Sequence, residues 1–255
     1  MPLQYDDFAI TSPGGRAGNE DAHAAFTLGD GRFGWIVADG LGGHGGGDVA
    51  SRIAVDTLSD YFRESAAASG FGLSGEMLDG ALKAAQSAII AARKQQPQFS
   101  RMHSTVVMLV TDGVIARWAH LGDSRLYHFR DGRLSAQTGD HSVPHMLHLA
   151  GEITLAQIRT HEDRNRLLRS LGSEGAWKPD ISTEPLTLAQ SPGHSDAFIL
   201  CSDGFWEYVL EQEMETDLAA SATARDWVTK MERRLLDRVN GGHDNYTVVA
   251  VRMFR

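Results

Sequence analysis

Asp39, Asp203 and Asp244 each stand at the end of an apolar, strand-like run. Residues 33–38 lead into Asp39-Gly40, residues 197–202 lead into Asp203-Gly204, and His243-Asp244-Asn245 opens the run 246–251. Carboxylates held at the ends of buried strands build an oxygen-rich cage for hard divalent cations. Two cations held close together in such a cage activate water against a phosphate. Metal-assisted phosphoester hydrolysis is therefore the first chemistry to look for.

Asp-Gly is also the dipeptide of many tight hairpins, and the chain supplies its own comparison. Asp30-Gly31, Asp112-Gly113 and Asp131-Gly132 each lie between two strand-like runs and read as hairpin turns. Asp39-Gly40 is followed by a glycine run, residues 42–47, and then by a helix. Asp203-Gly204 is followed by Phe205-Trp206-Glu207-Tyr208-Val209, which does not alternate as a return strand would. A hairpin accounts for neither. The glycine run lacks the Lys and Ser/Thr of a phosphate-binding loop and reads instead as close backbone approach beside the metals.

Hydrophobic periodicity locates the elements that must position these residues. Residues 8–11, 22–28 and 32–38 read as strands. From Asp48 the spacing turns helical, through Val49, Ile53, Leu58, Tyr61 and Phe62, and fades over residues 65–70. Residues 73–96 read as a second helix, with Met77, Leu78, Leu82, Ala85, Ile89 and Ile90 on one face and Pro97 at its end. Strands follow at 104–111, 114–121 and 125–129. Residues 140–172 break the rhythm, with short helices at 145–150 and 155–158. Strands resume at 181–188 and 197–202, a helix spans 224–239 with Trp227, Met231, Leu235 and Val239 on one side, and 246–253 closes the chain's strands. Hairpin-linked strands with helices in consecutive pairs predict an α+β fold, helices stacked outside a sheet sandwich. No repeat or linker interrupts the pattern, so one domain over residues 1–255 is expected.

The net charge of −9 argues against nonspecific binding to nucleic acid or to an anionic membrane. Cys201 is the sole cysteine, which excludes an internal disulfide; inside its apolar run an inert thiol is expected. The opening residues lack the basic and apolar regions of a signal peptide, and no apolar run approaches the length that spans a bilayer. A cytoplasmic location is expected.

Four further segments attach to the three aspartates: Arg16-Ala17-Gly18-Asn19-Glu20-Asp21, Ala119-His120-Leu121-Gly122-Asp123-Ser124-Arg125, Gly139-Asp140-His141-Ser142, and residues 164–172. In this order they resemble the metal-dependent protein serine/threonine phosphatases of the type 2C (PPM) family, bacterial branch, from about Arg16 to Val251. The resemblance implies two antiparallel sheets flanked by helical pairs, in α-β-β-α layers, with two Mn²⁺ or Mg²⁺ ions at one end. Asp39 would bridge the ions and the Gly40 carbonyl would bind one of them, while Asp203 and Asp244 would hold the other. Asp123 with Asp203 would support a weaker third ion, and Glu20 and Asp21 would contact the ions or support their ligands. Arg16 would bind the substrate phosphate, a role that suits the paired donors of a guanidinium. Eukaryotic members carry a histidine after the Asp-Gly, where this chain has Leu41; bacterial relatives commonly have a histidine three residues on, matched by His44. His44 and a metal-bound water both stand as candidate proton donors.

The implied activity is removal of phosphate from Ser or Thr side chains of proteins by a water bridging the two cations. The enzyme would be a monomer that opposes a separate Ser/Thr kinase. No placed Cys, Ser or His nucleophile is evident, so no phosphoenzyme is expected. Two other readings compete: an inactive scaffold of the same fold, against which the retention of Asp39, Asp203 and Asp244 counts, and a phosphatase of a small phosphorylated metabolite. Substrate choice is expected to lie in residues 140–172, a flap beside the active site. Its histidines (His141, His145, His148, His161) are expected at the surface, near the basic Arg164, Arg166 and Arg169.

Overall fold

The run that ends at Asp39 is apolar throughout because both of its faces are covered. The computed structural model describes residues 3–29, 31–42, 46–67, 72–174 and 177–254. Strands β1 (Gln4–Ser12), β2 (Asp21–Gly29) and β3 (Arg32–Leu41) precede helices α1 (Gly47–Ala67) and α2 (Gly75–Gln95). Then come β4 (His103–Ser104), β5 (Val106–Thr111), β6 (Ile115–Leu121), β7 (Arg125–Arg130) and β8 (Arg133–Gln137). Two short helices, α3 (Val143–Leu149) and α4 (Leu155–Ile158), lead to β9 (Asp180–Ile181), β10 (Leu186–Thr187) and β11 (Ser195–Cys201). Helices α5 (Asp203–Trp206), α6 (Glu211–Ala219) and α7 (Ala224–Arg238) precede the closing strand β12 (Tyr246–Phe254).

The strands form two antiparallel sheets. One runs β1-β12-β11-β7-β8; the other runs β10-β6-β5-β3-β2, with β4 paired to β3 and β9 to β6. Alternation along each strand decides which core a side chain joins. Trp35 and Val37 of β3 meet Phe198 and Leu200 of β11 and Val249 and Val251 of β12 between the sheets. Ile36 and Ala38 face the other way, onto Ala54, Leu58, Leu82 and Ile89 of α1 and α2. On the opposite outer face, Ile199, Val248 and Ala250 pack beneath Met214, Trp227, Met231 and Leu235 of α6 and α7. The α+β sandwich flanked by helices is therefore as expected.

Several local expectations need correction. Residues 181–188 are not one strand: β9 and β10 are two short pairings against β6, and Ser182 between them accepts a hydrogen bond from Arg117 through its carbonyl. Helix α6 and strand β8 were missed. Their sequences carry little periodic signal, since α6 buries only Met214, Asp217 and Leu218 and β8 has no fully buried side chain. Strand β3 continues past Asp39 to Leu41, pairing Gly40 with Ser104. The hairpin at Asp112-Gly113 is present between β5 and β6, and that at Asp131-Gly132 between β7 and β8 takes positive φ at both residues, 52° and 79°. Asp30 lies outside the described residues. Cys201 is fully buried and burial raises its thiol pKa, as an inert thiol requires.

Candidate active site

The two Asp-Gly pairs that are not hairpins need glycine for lack of space. A Cβ on Gly40 would lie 2.0 Å from the Gly47 carbonyl oxygen, and one on Gly204 would lie 2.0 Å from that of Asn245. Backbone thus crosses backbone directly beside Asp39 and beside Asp203, which holds the two carboxylates on fixed main chain. Asp39 sits opposite Asp21 in the β2–β3 register. Its own N–H donates to Thr105 Oγ1 (3.0 Å), and its carbonyl accepts from the Thr105 N–H (2.8 Å). Asp203 opens α5, and the preceding Ser202 donates its hydroxyl to Asp21 Oδ2 at 2.7 Å.

The remaining acids arrive on loops that Asn245 and Trp206 hold in place. Asn245 Oδ1 accepts from the Glu20 N–H (2.8 Å), and its amide donates to the carbonyls of Pro13 and Gly18. The loop carrying Arg16 is pinned in this way next to Asp244, and Arg16 pairs with Asp244 at 2.9 Å. The Glu20 carboxylate packs against Gly47 at the start of α1, where an anion suits the helix dipole. Asp123 is buried, with its carbonyl accepting from Trp206 Nε1–H at 2.9 Å. Arg125 stacks its guanidinium 3.4 Å from the Trp206 ring and binds both oxygens of Asp140 at 2.7 Å.

Arg16, Glu20, Asp39, Gly40, Asp123, Asp203 and Asp244 all line one cleft of about 180 Å³. Asp21 lies behind it. His44 lies outside the described residues, as do Gly43 and Gly45 of the glycine run. Five carboxyl groups on the cleft wall face one guanidinium, and the electrostatics follow. Burial, with the charges of Asp21 and Asp203, raises Asp39 well above the ordinary carboxylate range; Asp123 is raised by burial and by Asp203. Burial and the charge of Asp244 push Asp203 up to about 6. Asp21 is pushed up to about 7 by burial, against hydrogen bonds from Ser202 and Thr247.

This set fits a hard divalent cation. Every donor is oxygen, the carboxylates repel one another without an added positive charge, and Asp21 Oδ1 is buried with no hydrogen-bond partner. A second cluster with metal-type donors, His120, His141 and Asp180, brings its ligand atoms within 4.8 Å. It fits a cation less well. His141 Nδ1 accepts from the Gly122 N–H (3.1 Å), so Nε2 carries the ring proton. A ligating histidine has the reverse arrangement, its free nitrogen donating.

The surface position expected for His141 is wrong, because it is buried between Gly122 and Asp180; His145 and His148 are part-buried. The basic cluster divides into separate contacts, Arg164 to Glu207 at 3.0 Å and Arg169 to Asp180 at 3.6 Å. Sequence reasoning gave no role to Asn245, Thr105, Trp206 or Asn165 and Leu167, which also line the cleft. For Asn245 one signal existed, a buried-type position at a strand entrance filled by an amide.

Residues 15–244 match the family model described as protein phosphatase 2C. The serine/threonine phosphatase stp of Listeria monocytogenes is 34% identical over 237 residues, covering 91% of this chain and 89% of that protein. The crystal structure of the Mycobacterium tuberculosis serine/threonine phosphatase PstP/Ppp superposes with a TM-score of 0.81 at 30% identity, covering 98% of each chain. A catalytic domain of PstP in complex with two manganese ions gives a TM-score of 0.82 at 27% identity, over 99% of this chain and 100% of that one. The carboxylate cleft, the α-β-β-α layers and these likenesses agree: the chain belongs to the protein phosphatase 2C family and is a bacterial-type protein-serine/threonine phosphatase.

Proposed function

We propose that Asp39, the Gly40 carbonyl, Asp203 and Asp244 hold two divalent cations, with Asp123 beside Asp203 available to a weaker third and Glu20 and Asp21 supporting the set. The observation that carries this is the convergence of five carboxyl groups on one 180 Å³ cleft with a single guanidinium among them. The cofactor is Mn²⁺ or Mg²⁺, which supplies charge neutralisation and water activation for phosphoester hydrolysis. Arg16 offers its guanidinium to two phosphate oxygens; its contact with Asp244 is exposed enough to exchange for that role. Asn245 keeps Arg16 in reach by fixing residues 13–20. Among the described lining residues none is Cys, Ser or His, which supports direct hydrolysis without a phosphoenzyme.

The substrates are phosphoserine and phosphothreonine in proteins. The finer reading is a monomeric catalytic domain, cytoplasmic, that opposes a separate Ser/Thr kinase, with residues 140–172 as a flap contacting the phosphoprotein. Exposed Met146, Leu149, Leu155 and Leu168 on that segment support a contact role. Among the described residues no helix is long and apolar enough to cross a membrane. The decisive test is turnover of a phosphothreonine peptide: activity with Mn²⁺, none in excess chelator, and restoration on adding metal back. Undiminished turnover in chelator would rule the mechanism out. Trimming residues 143–160 should lower efficiency on phosphoproteins far more than on an aryl phosphate, and an equal fall on both would make the segment structural.

A further inference from the structure

A second cavity, about 420 Å³, lies beside the carboxylate cleft, between residues 139–149 and the segments 168–169 and 178–180. Its rim is apolar and open: Met146, Leu149 and Leu168 are 51%, 75% and 51% exposed. His141 on its floor is 7% exposed, and the Gly122 N–H donating to Nδ1 fixes Nε2 as the protonated nitrogen, buried against Asp180 Oδ2 at 3.4 Å.

The two cavities share a wall. The Leu168 N–H donates to the His141 carbonyl (2.8 Å) and the Val143 N–H to the Arg166 carbonyl (3.0 Å), which bridges Leu167 to Ser142 as an isolated antiparallel pair. Asn165 and Leu167 line the carboxylate cleft, while Leu168 and Arg169 line the second cavity. The partition is one chain segment wide, about 5 Å where Leu167 bridges Ser142, and an extended peptide advances about 3.3 Å per residue. A chain whose phosphoresidue occupies the cleft therefore reaches the second cavity within about two to four residues.

The geometry points to this cavity as a specificity subsite that takes a bulky apolar side chain of the phosphoprotein, flanking the phosphoresidue, against Met146, Leu149 and Leu168. This rests on the reading that the phosphate binds in the carboxylate cleft. An anion would meet Asp180 as well as Lys178 and Arg169, and Arg169 is already engaged by Asp180 (3.6 Å) and by the Lys178 carbonyl (3.1 Å). A cation is excluded by the ring proton on Nε2, as argued above.

The test uses the Mn²⁺-loaded full chain and a phosphothreonine peptide in an alanine background, with leucine walked one position at a time along both flanks. At one position leucine should raise kcat/KM about tenfold over alanine, the scale a filled apolar pocket provides. In Leu149→Lys and in Met146→Lys that preference should vanish while turnover of an aryl phosphate stays unchanged. Both side chains are exposed, so these variants should fold. A flat leucine scan in the parent, or a preference that survives both substitutions, overturns the subsite. Failure of the parent to hydrolyse the aryl phosphate or any of the peptides would instead sink the phosphatase reading itself, and the subsite with it.

Discussion

The aspartates enclosed by this fold divide into two sets, according to whether a cationic partner is built in beside them. Asp140 meets Arg125, and Asp217 meets Arg234, each through two hydrogen bonds of 2.7 or 2.8 Å. Asp196 accepts from His128, Arg130 and the Ala189 N–H, all at 2.7 Å. Asp39, Asp123 and Asp203 have no guanidinium bonded to them and face chiefly one another, Asp21 and Asp244. Burial works against ionisation in both sets, yet the hydrogen bonds to Asp196 hold it below the ordinary carboxylate range, whereas Asp39, Asp123 and Asp203 are raised. A carboxylate enclosed with a matched guanidinium ties elements together. A group of them enclosed without one is a site for charge brought from outside.

Activity should separate the two sets most widely. Asp39→Asn should lower kcat/KM on a phosphothreonine peptide by about a thousandfold or more, while Asp217→Asn, assayed where it is folded, should change it less than about threefold. Asp203→Asn and Asp244→Asn should fall between, with a raised Mn²⁺ requirement, and Asp123→Asn should do least of the four. A larger loss for Asp123→Asn than for Asp39→Asn would reverse the ligand assignment.

Stability should separate them in the opposite direction. Asp217→Asn leaves Arg234 without its two-oxygen partner and should cost about 3 kcal/mol. Asp39→Asn removes one member of a repelling group and should make the chelator-treated protein more stable than its parent. Urea midpoints in chelator measure both, and a destabilised Asp39→Asn would mean that the cleft acids are structural.

The pH dependence carries its own sign. Asp21 and Asp203 titrate near 7 and near 6 in the fold against an ordinary 3.8, so their contribution to stability is full below about 4 and is lost as pH rises through the folded values. Bound Mn²⁺ removes that loss, so the stabilisation it confers should grow from pH 5 to 8 by about 1 to 3 kcal/mol. His120 and His141, lowered mainly by burial, push stability the other way with and without metal and cancel in the difference. A Mn²⁺ shift that is flat across this range would place the ions away from these acids. Within the cleft the smallest effect belongs to Arg16→Lys: about a tenfold loss in kcat/KM through KM. Its exposed contact with Asp244 makes a thermal shift beyond about 1 kcal/mol unexpected.

The strand-end aspartates were legible because the strands before them bury both faces, so 33–38 and 197–202 read as unbroken apolar runs with a charged residue at the end. The faces of α2 and α7 were legible for a related reason: one side of each packs on a sheet, and Leu78, Leu82, Trp227 and Met231 repeat at helical spacing. Helix α6 was not, because its buried polar member, Asp217, is satisfied by Arg234 and so looks in sequence like a solvated acid. The site's supporting contacts were decided by the tertiary structure alone. Asn245 holds Glu20 across 225 residues, and Trp206 holds Asp123 across 83. His141 is buried because the Gly122 N–H meets its ring from a neighbouring segment. Periodicity reports how one element meets its surroundings, whereas a hydrogen bond between distant residues depends on where two elements end in space, and a single amide, indole or imidazole leaves no repeating trace in the chain.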